Sequence, residues 1–169
     1  VSVRTVVVVM GVSSSGKSTV GRQLADRLGV PFAEADDFHP AENVAKMSRG
    51  EPLTDTDRWP WLRTLAGWIH RHQDGGGVVT CSALKRAYRD LLREDNPATW
   101  FLHLDGSEAL ITERSRRRGQ HFMAPSMVRS QFADLEPLGP DEPGLVVSVE
   151  EPPARIVEQA VEYGKKVVR

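Results

Sequence analysis

An α/β fold, a parallel sheet covered by helices on both faces, is predicted for this chain by three features. Short apolar runs alternate with stretches of helical periodicity from one end to the other. The segment Gly11 to Ser18 reads G-x-x-x-x-G-K-S and stands between an apolar run and an amphipathic stretch. A length of 169 residues with 40% hydrophobic content supplies one core and leaves no room for a second, so residues 1–169 are expected to form a single domain.

The elements follow in order. Strands are expected at 5–10, 31–35, 77–81, 99–104 and 145–149, each a short apolar run bounded by turn residues or helical patterns. Val20, Leu24 and Leu28 share one face of a first helix at 19–28, and Leu62, Leu65 and Ile69 share one face of a helix at 57–73. Between them, 40–48 reads as a short helix with Pro40 at its first position. Further helices are expected at 85–94 and at 107–117, the latter begun by a Ser107 cap. Pro153 and Ala154 open the last helix, whose apolar face is Ile156, Val157, Ala160 and Val161. Residues 119–144 break the alternation, with Pro125, Pro137, Pro140 and Pro143 around a short helix near 126–135, and read as a mobile lid.

Composition narrows the function. A net charge of -1 and a pI near 6.6 advertise neither a nucleic-acid nor a membrane surface, so the expected partner is a small molecule. Cys81 is the single cysteine and cannot form an internal disulfide, and the first residues lack a basic-then-apolar leader. Val6 to Met10 is far too short to span a bilayer. These features read as a soluble, cytoplasmic protein.

The Gly11 to Ser18 spacing has a physical purpose. Glycines let successive backbone N–H groups curl around phosphate oxygens, and the following helix presents its unpaired N-terminal donors to the same anion. Gly11, Ser13, Ser14, Ser15, Gly16, Lys17, Ser18 and Thr19 are therefore expected to hold the phosphates of a nucleoside triphosphate. Lys17 would reach the β- and γ-phosphates, and the Ser18 hydroxyl would ligate Mg²⁺. Neither an N-K-x-D guanine motif nor an L-S-G-G-Q transporter signature is present, which favours a small kinase.

Such a kinase needs an acceptor pocket beyond the carboxyl ends of its strands, and polar residues cluster there. Asp36-Asp37-Phe38-His39-Pro40 follows the second strand, Cys81-Ser82-Ala83-Leu84-Lys85 the third, and Asp105-Gly106-Ser107 the fourth. Asp36, at the end of its strand, could take a proton from an acceptor hydroxyl, against the plainer reading of Asp36 and Asp37 as Asx-type caps for the helix at Pro40. Lys46, Arg49, Arg58, Lys85 and Arg89 form an excess of cations suited to a carboxylate, against the plainer reading of a solvated face. Arg49 could instead serve the end of its helix through the dipole. His39 and Ser82 could hydrogen-bond hydroxyls. Cys81 reads as a small strand-end residue and not a nucleophile, and the four tryptophans as packing.

Asp36 to Pro40, then Asn43 with Lys46-Met47, Gly50-Glu51-Pro52-Leu53, Asp57-Arg58 with Trp61-Leu62, Cys81 to Lys85 with Tyr88-Arg89-Asp90, His121-Phe122-Met123, Ser130-Gln131-Phe132 and Leu135-Glu136-Pro137 together resemble the gluconate kinase (gluconokinase) family. The similarity runs from about Val7 to Pro137. It implies ATP- and Mg²⁺-dependent phosphorylation of the 6-hydroxyl of D-gluconate to 6-phosphogluconate, on a P-loop kinase sheet ordered 2-3-1-4-5, and a homodimer. It also implies that His121 contacts the acceptor, with Gln131 on the substrate side. By motif position Arg114 would pack on adenine and Arg118 would stabilise the moving γ-phosphoryl, leaving Arg116 and Arg117 as surface charge. Leu138 stands where a second proline is usual after Glu136-Pro137. The competing readings are a kinase for shikimate or a nucleoside monophosphate, and a nucleotide-binding module without turnover.

Overall fold

The computed structural model describes residues 5–118 and 125–167. Its centre is β1 (Val6–Met10), five apolar residues each with 0% of their surface exposed. A strand buried on both faces needs a continuous apolar run rather than alternation, and Val6-Val7-Val8-Val9-Met10 is such a run. Full burial of a Val or Met side chain is worth about 1.5–3 kcal/mol, so this strand is a major source of cohesion.

Around it the parallel sheet runs β2-β3-β1-β4-β5, the order that the family resemblance implies. β3 (Gly77–Thr80) and β4 (Trp100–Asp105) flank β1, placing Val7 beside both Val78 and Trp100. β2 (Phe32–Glu34) and β5 (Gly144–Ser148) form the edges. Successive β1 side chains point to opposite faces and join two cores. Val7 and Val9 pack with Leu24 of α1 (Lys17–Leu28), Ile111 of α5 (Glu108–Arg117) and Ile156 of α7 (Pro153–Val167). Val6, Val8 and Met10 pack with Leu62, Leu65 and Ile69 of α3 (Asp55–Arg71) and Leu92 of α4 (Arg86–Arg93). The remaining helices are α2 (Ala41–Ser48) and α6 (Pro125–Asp134).

Several boundaries differ from expectation for local reasons. α3 starts two residues early because Thr54 and Asp57 form a reciprocal capping box, each side chain accepting the other's backbone N–H. Pro40 is not the first helical residue: its ψ of 159° is extended, and α2 begins at Ala41. β2 ends at Glu34, and a 3₁₀ turn over Ala35–Phe38 takes Asp36 and Asp37 off the strand. The start of α2 carries no side-chain cap, so neither aspartate performs that service. Ser107 does cap α5, accepting from the Leu110 N–H at 3.1 Å. Among the described residues no helix is long and apolar enough to cross a membrane.

Packing at the β4–β5 ladder sets a testable limit. A Cβ added to Gly144 would lie 2.7 Å from the Phe101 carbonyl oxygen and 2.6 Å from Leu138 Cδ1, whereas one on Gly75 would meet nothing within 4 Å. Gly144→Ala should lower unfolding free energy in urea by about 2 kcal/mol. Gly75→Ala should stay within about 0.5 kcal/mol of the parent; equal effects at both positions would contradict the packing.

Candidate active site

The loop after β1 is shaped by left-handed backbone. Gly11 has φ 147°, Ser14 φ 67° and Gly16 φ 96°. A side chain at Gly11 would collide with the Leu104 carbonyl oxygen at 2.9 Å, so the residue at the mouth of β1 has to be glycine. α1 then starts at Lys17 with no side-chain cap and no acidic residue in its first turn. Its first N–H groups and its positive end are left for an anion from outside.

Three polar side chains close on this loop. Lys17 Nζ donates to the carbonyls of Gly11 at 3.0 Å and Val12 at 2.9 Å. Burial pushes its pKa down to about 8 against the opposing pull of Cys81 and Asp36, and Arg118 lowers it further. Arg118 Nη1 donates to Ser14 Oγ at 3.0 Å. Gln131, on α6, accepts from the Ser13 N–H at 2.7 Å and donates to Ser13 Oγ at 3.1 Å. Ser15 is buried inside the loop, and its hydroxyl has no partner among the described residues.

From the loop a cleft of about 1140 Å³ extends along the carboxyl ends of β1, β2 and β3. Ser13, Ser14, Gly16, Lys17, Ser18 and Thr19 line it at the start of α1. Asp36, His39, Arg58, Trp61, Ser82 and Tyr88 also form part of its wall. Asp36 is exposed on its 3₁₀ turn and makes no hydrogen bond or ion pair among the described residues, while its charge is felt at Lys17 and His39. His39 stacks on Trp61 at 4.2 Å, and the Trp61 indole donates to the Ala35 carbonyl at 2.7 Å. Arg58 donates to the Tyr88 hydroxyl at 3.1 Å, and Tyr88 in turn donates to Asp55. That hydrogen bond holds the Asp55 carboxyl below its ordinary range, and burial first, then Asp55, pushes Tyr88 up to about 12.

Other sequence candidates lie behind this wall. Lys46 is taken by Asp57 at 2.8 Å, a contact that helps to depress Asp57 to about 2. Arg49 pairs with Glu51 at 3.0 Å and closes α2 through its backbone N–H, and Lys85 lies 3.7 Å from Asp55. Arg89 requires correction as an acceptor contact, because its guanidinium is 1% exposed. It is bonded to Glu142 at 2.7 and 2.9 Å and to the Ala83 carbonyl at 2.8 Å. Ala83 has φ 46°, a conformation costing an alanine roughly 1–2 kcal/mol, and Arg89 secures the loop that contains it. Arg114 donates to the Val149 carbonyl at 2.7 Å and Asp37 is exposed outside the cleft wall. Cys81 is buried with its thiol pushed up to about 12, which suits a structural residue. His121 lies outside the described residues.

Tyr88 and Trp61 were not assigned to the site from sequence. Both stand in the motifs that carry the family resemblance, Tyr88-Arg89-Asp90 and Asp57-Arg58 with Trp61-Leu62, and the tryptophan reads from the sequence as packing.

Comparison with known proteins gives a consistent set of relatives. The shikimate kinase family model matches residues 13–136. A gluconokinase from Gluconobacter oxydans is 48% identical over 92% of this chain and 89% of its own length. The thermoresistant gluconokinase of Escherichia coli is 42% identical, covering 94% of this chain and 93% of its own. The crystal structure of a gluconokinase from Sinorhizobium meliloti superposes with a TM-score of 0.89 at 44% identity, covering 98% and 94% of the two chains.

Binding of a nucleotide beside the depressed Lys17 is expected to be coupled to protonation. In the free protein the ammonium loses its proton as pH rises through about 8, and a neighbouring polyphosphate restores it by favouring the charged form. ATP affinity should therefore fall as pH rises from about 8, with uptake of up to one proton per site. Calorimetry at about pH 9 in buffers of differing ionisation enthalpy measures that uptake. Binding with no proton exchange there, and no loss of affinity, would contradict the assignment.

Proposed function

The chain belongs to the gluconokinase family, within the shikimate-kinase-like P-loop kinases, and we propose that it phosphorylates the 6-hydroxyl of D-gluconate with ATP, using Asp36 as base. The observation carrying this reading is that the loop after β1 and Asp36 line one and the same cleft, together with Arg58 and Tyr88, and that the Asp36 charge is felt at Lys17. A triphosphate bound at the start of α1 directs its γ-phosphoryl toward Asp36.

In this mechanism Asp36 accepts the hydroxyl proton as the acceptor oxygen attacks the γ-phosphorus in line and ADP departs. Lys17 exchanges the Gly11 and Val12 carbonyls for phosphate oxygens, and Arg118 moves from Ser14 to the transferring group. Both exchanges replace a neutral partner by an anion, which strengthens each contact. Arg58 receives the acceptor carboxylate, and Ser82 bonds a hydroxyl. Arg114 borders the adenine, and the family resemblance gives His121 a contact with the acceptor.

Mg²⁺ suits the donors present. Ser18 offers an exposed hydroxyl on the first turn of α1, and among the described residues no group of three His, Cys, Asp or Glu side chains is placed to hold a metal. That set fits an ion bound through one hydroxyl, water and the substrate's own phosphates. When bound it would neutralise charge shared by the β- and γ-phosphates. We further infer a single kinase domain acting in the cytoplasm, and a homodimer that sedimentation can test.

Asp36→Asn should lower kcat with gluconate by about 10²–10⁴-fold while ATP affinity changes less than about twofold. Coupled ADP release, run against gluconate, shikimate and nucleoside monophosphates, measures this directly. Full turnover in the variant would remove Asp36 from the chemistry; another acceptor preferred by the parent would overturn gluconate as substrate.

A further inference from the structure

We propose that His39 meets the acceptor as a fixed Nε2–H donor, its tautomer set by the buried Asn43, so that it orients an acceptor hydroxyl without taking its proton. Asn43 is then a positioning residue. The inference rests on the reading of this cleft as the gluconate pocket, and its geometry is independent of that reading.

The argument begins at Asp57. Asn43 is 3% exposed, and its Nδ2 donates to the Asp57 backbone carbonyl at 2.9 Å. A carbonyl oxygen accepts only, so the amide must present its nitrogen to this partner, and the reverse orientation would set oxygen against oxygen. The same Nδ2 lies 3.2 Å from His39 Nδ1. An NH₂ group has two hydrogens, and the second is directed at the imidazole. Nδ1 must therefore carry the lone pair and, in the neutral ring, Nε2 the proton. An imidazolium would place an N–H against the amide N–H, which disfavours the charged form.

The remaining surroundings act in the same direction. Burial is the largest influence lowering the His39 pKa, Arg58 lowers it further, and Asp36 alone opposes them. Stacking within 15° of parallel on Trp61 fixes the plane of the ring, and the contact with Asn43 sets which nitrogen lies on its inner edge. Trp61 is itself tied to the Ala35 carbonyl, immediately before Asp36. His39 and Asp36 are thus held by one local framework with complementary abilities: the imidazole gives a hydrogen bond and the carboxylate receives a proton. A polyol hydroxyl, both donor and acceptor, can meet such a pair at once.

Nitrogen–proton correlation spectra of the histidine-labelled protein, with the His39 signal identified from its loss in His39→Gln, read the tautomer without any assay. The expected result at neutral pH is protonation at Nε2 alone; an Nδ1–H ring or an imidazolium would overturn the proposal. Asn43→Asp should convert the ring to one carrying a proton at Nδ1.

Kinetics supply the functional half. The glutamine amide reaches the place of Nε2–H and the asparagine amide that of Nδ1, so His39→Gln should retain kcat/KM for gluconate better than His39→Asn. The expected loss in His39→Asn is about tenfold, with the KM for ATP unchanged. Retention by asparagine over glutamine, or a collapse of kcat in His39→Gln like that of Asp36→Asn, would overturn the donor role. Absence of gluconate turnover in the parent, with the Nε2–H signal present, would instead refute the substrate reading.

Discussion

Complete burial of β1 is the constraint on which the rest of the structure depends. Its five residues lie at 0% exposure between β3 and β4, with helices above and below. A charged or hydrogen-bonding side chain in place of any of these five would carry a large desolvation cost. Polar chemistry is consequently displaced to the ends of the strands, and the carboxyl ends of β1, β2 and β3 open into one cleft. The left-handed loop after β1 converts the buried strand into a ring of outward donors within eight residues, Gly11 to Ser18.

In the free protein the groups facing the cleft are largely occupied by internal partners. Lys17 rests on carbonyls, Arg118 on a serine hydroxyl, Gln131 on both polar groups of Ser13, and Arg58 on Tyr88. These contacts spare the buried or half-buried donors the cost of going unpaired. They are also individually replaceable by a phosphate or carboxylate oxygen, which binds cationic donors more strongly than a neutral oxygen does. Arg89 and Glu142 differ from this pattern: at 1% and 4% exposure their pairing is interior structure, and removing one partner would strand the other.

A second layer holds the cleft around Asp36 and His39 in shape. Asp57 caps α3, binds Lys46, and through its carbonyl orients Asn43, which in turn orients His39. Arg89 spans Ala83 and Glu142, tying the loop after β3 to the chain that follows α6, where the Glu136 N–H also reaches the Leu84 carbonyl at 2.7 Å. Residues that carry similar charges in the sequence are thereby divided into those that face the cleft and those that support it.

Periodicity and the glycine spacing were sufficient to read the strands, their helical cover and the phosphate loop, because these depend on local backbone preference and on which side chains must leave water. The short helix after Pro125 and the Ser107 cap were equally legible, being chemistry within one turn. The division of labour among Lys46, Arg49, Arg58, Lys85 and Arg89 was not. Each looked alike as a cation near a strand end, and only the fold brings Asp57, Glu51, Asp55 and Glu142 from elsewhere in the chain or across a turn to pair with them, Asp55 meeting both Lys85 and Arg58, and places Arg58 alone of the five in the cleft lining. Tyr88 and Asn43 passed without a role for the same reason: a hydroxyl or an amide acquires a function from its partners. Local composition thus determined the scaffold and its glycine-rich loop, whereas tertiary structure decided which polar side chains line the cleft and which support it from outside, because pairing is a property of distance in space.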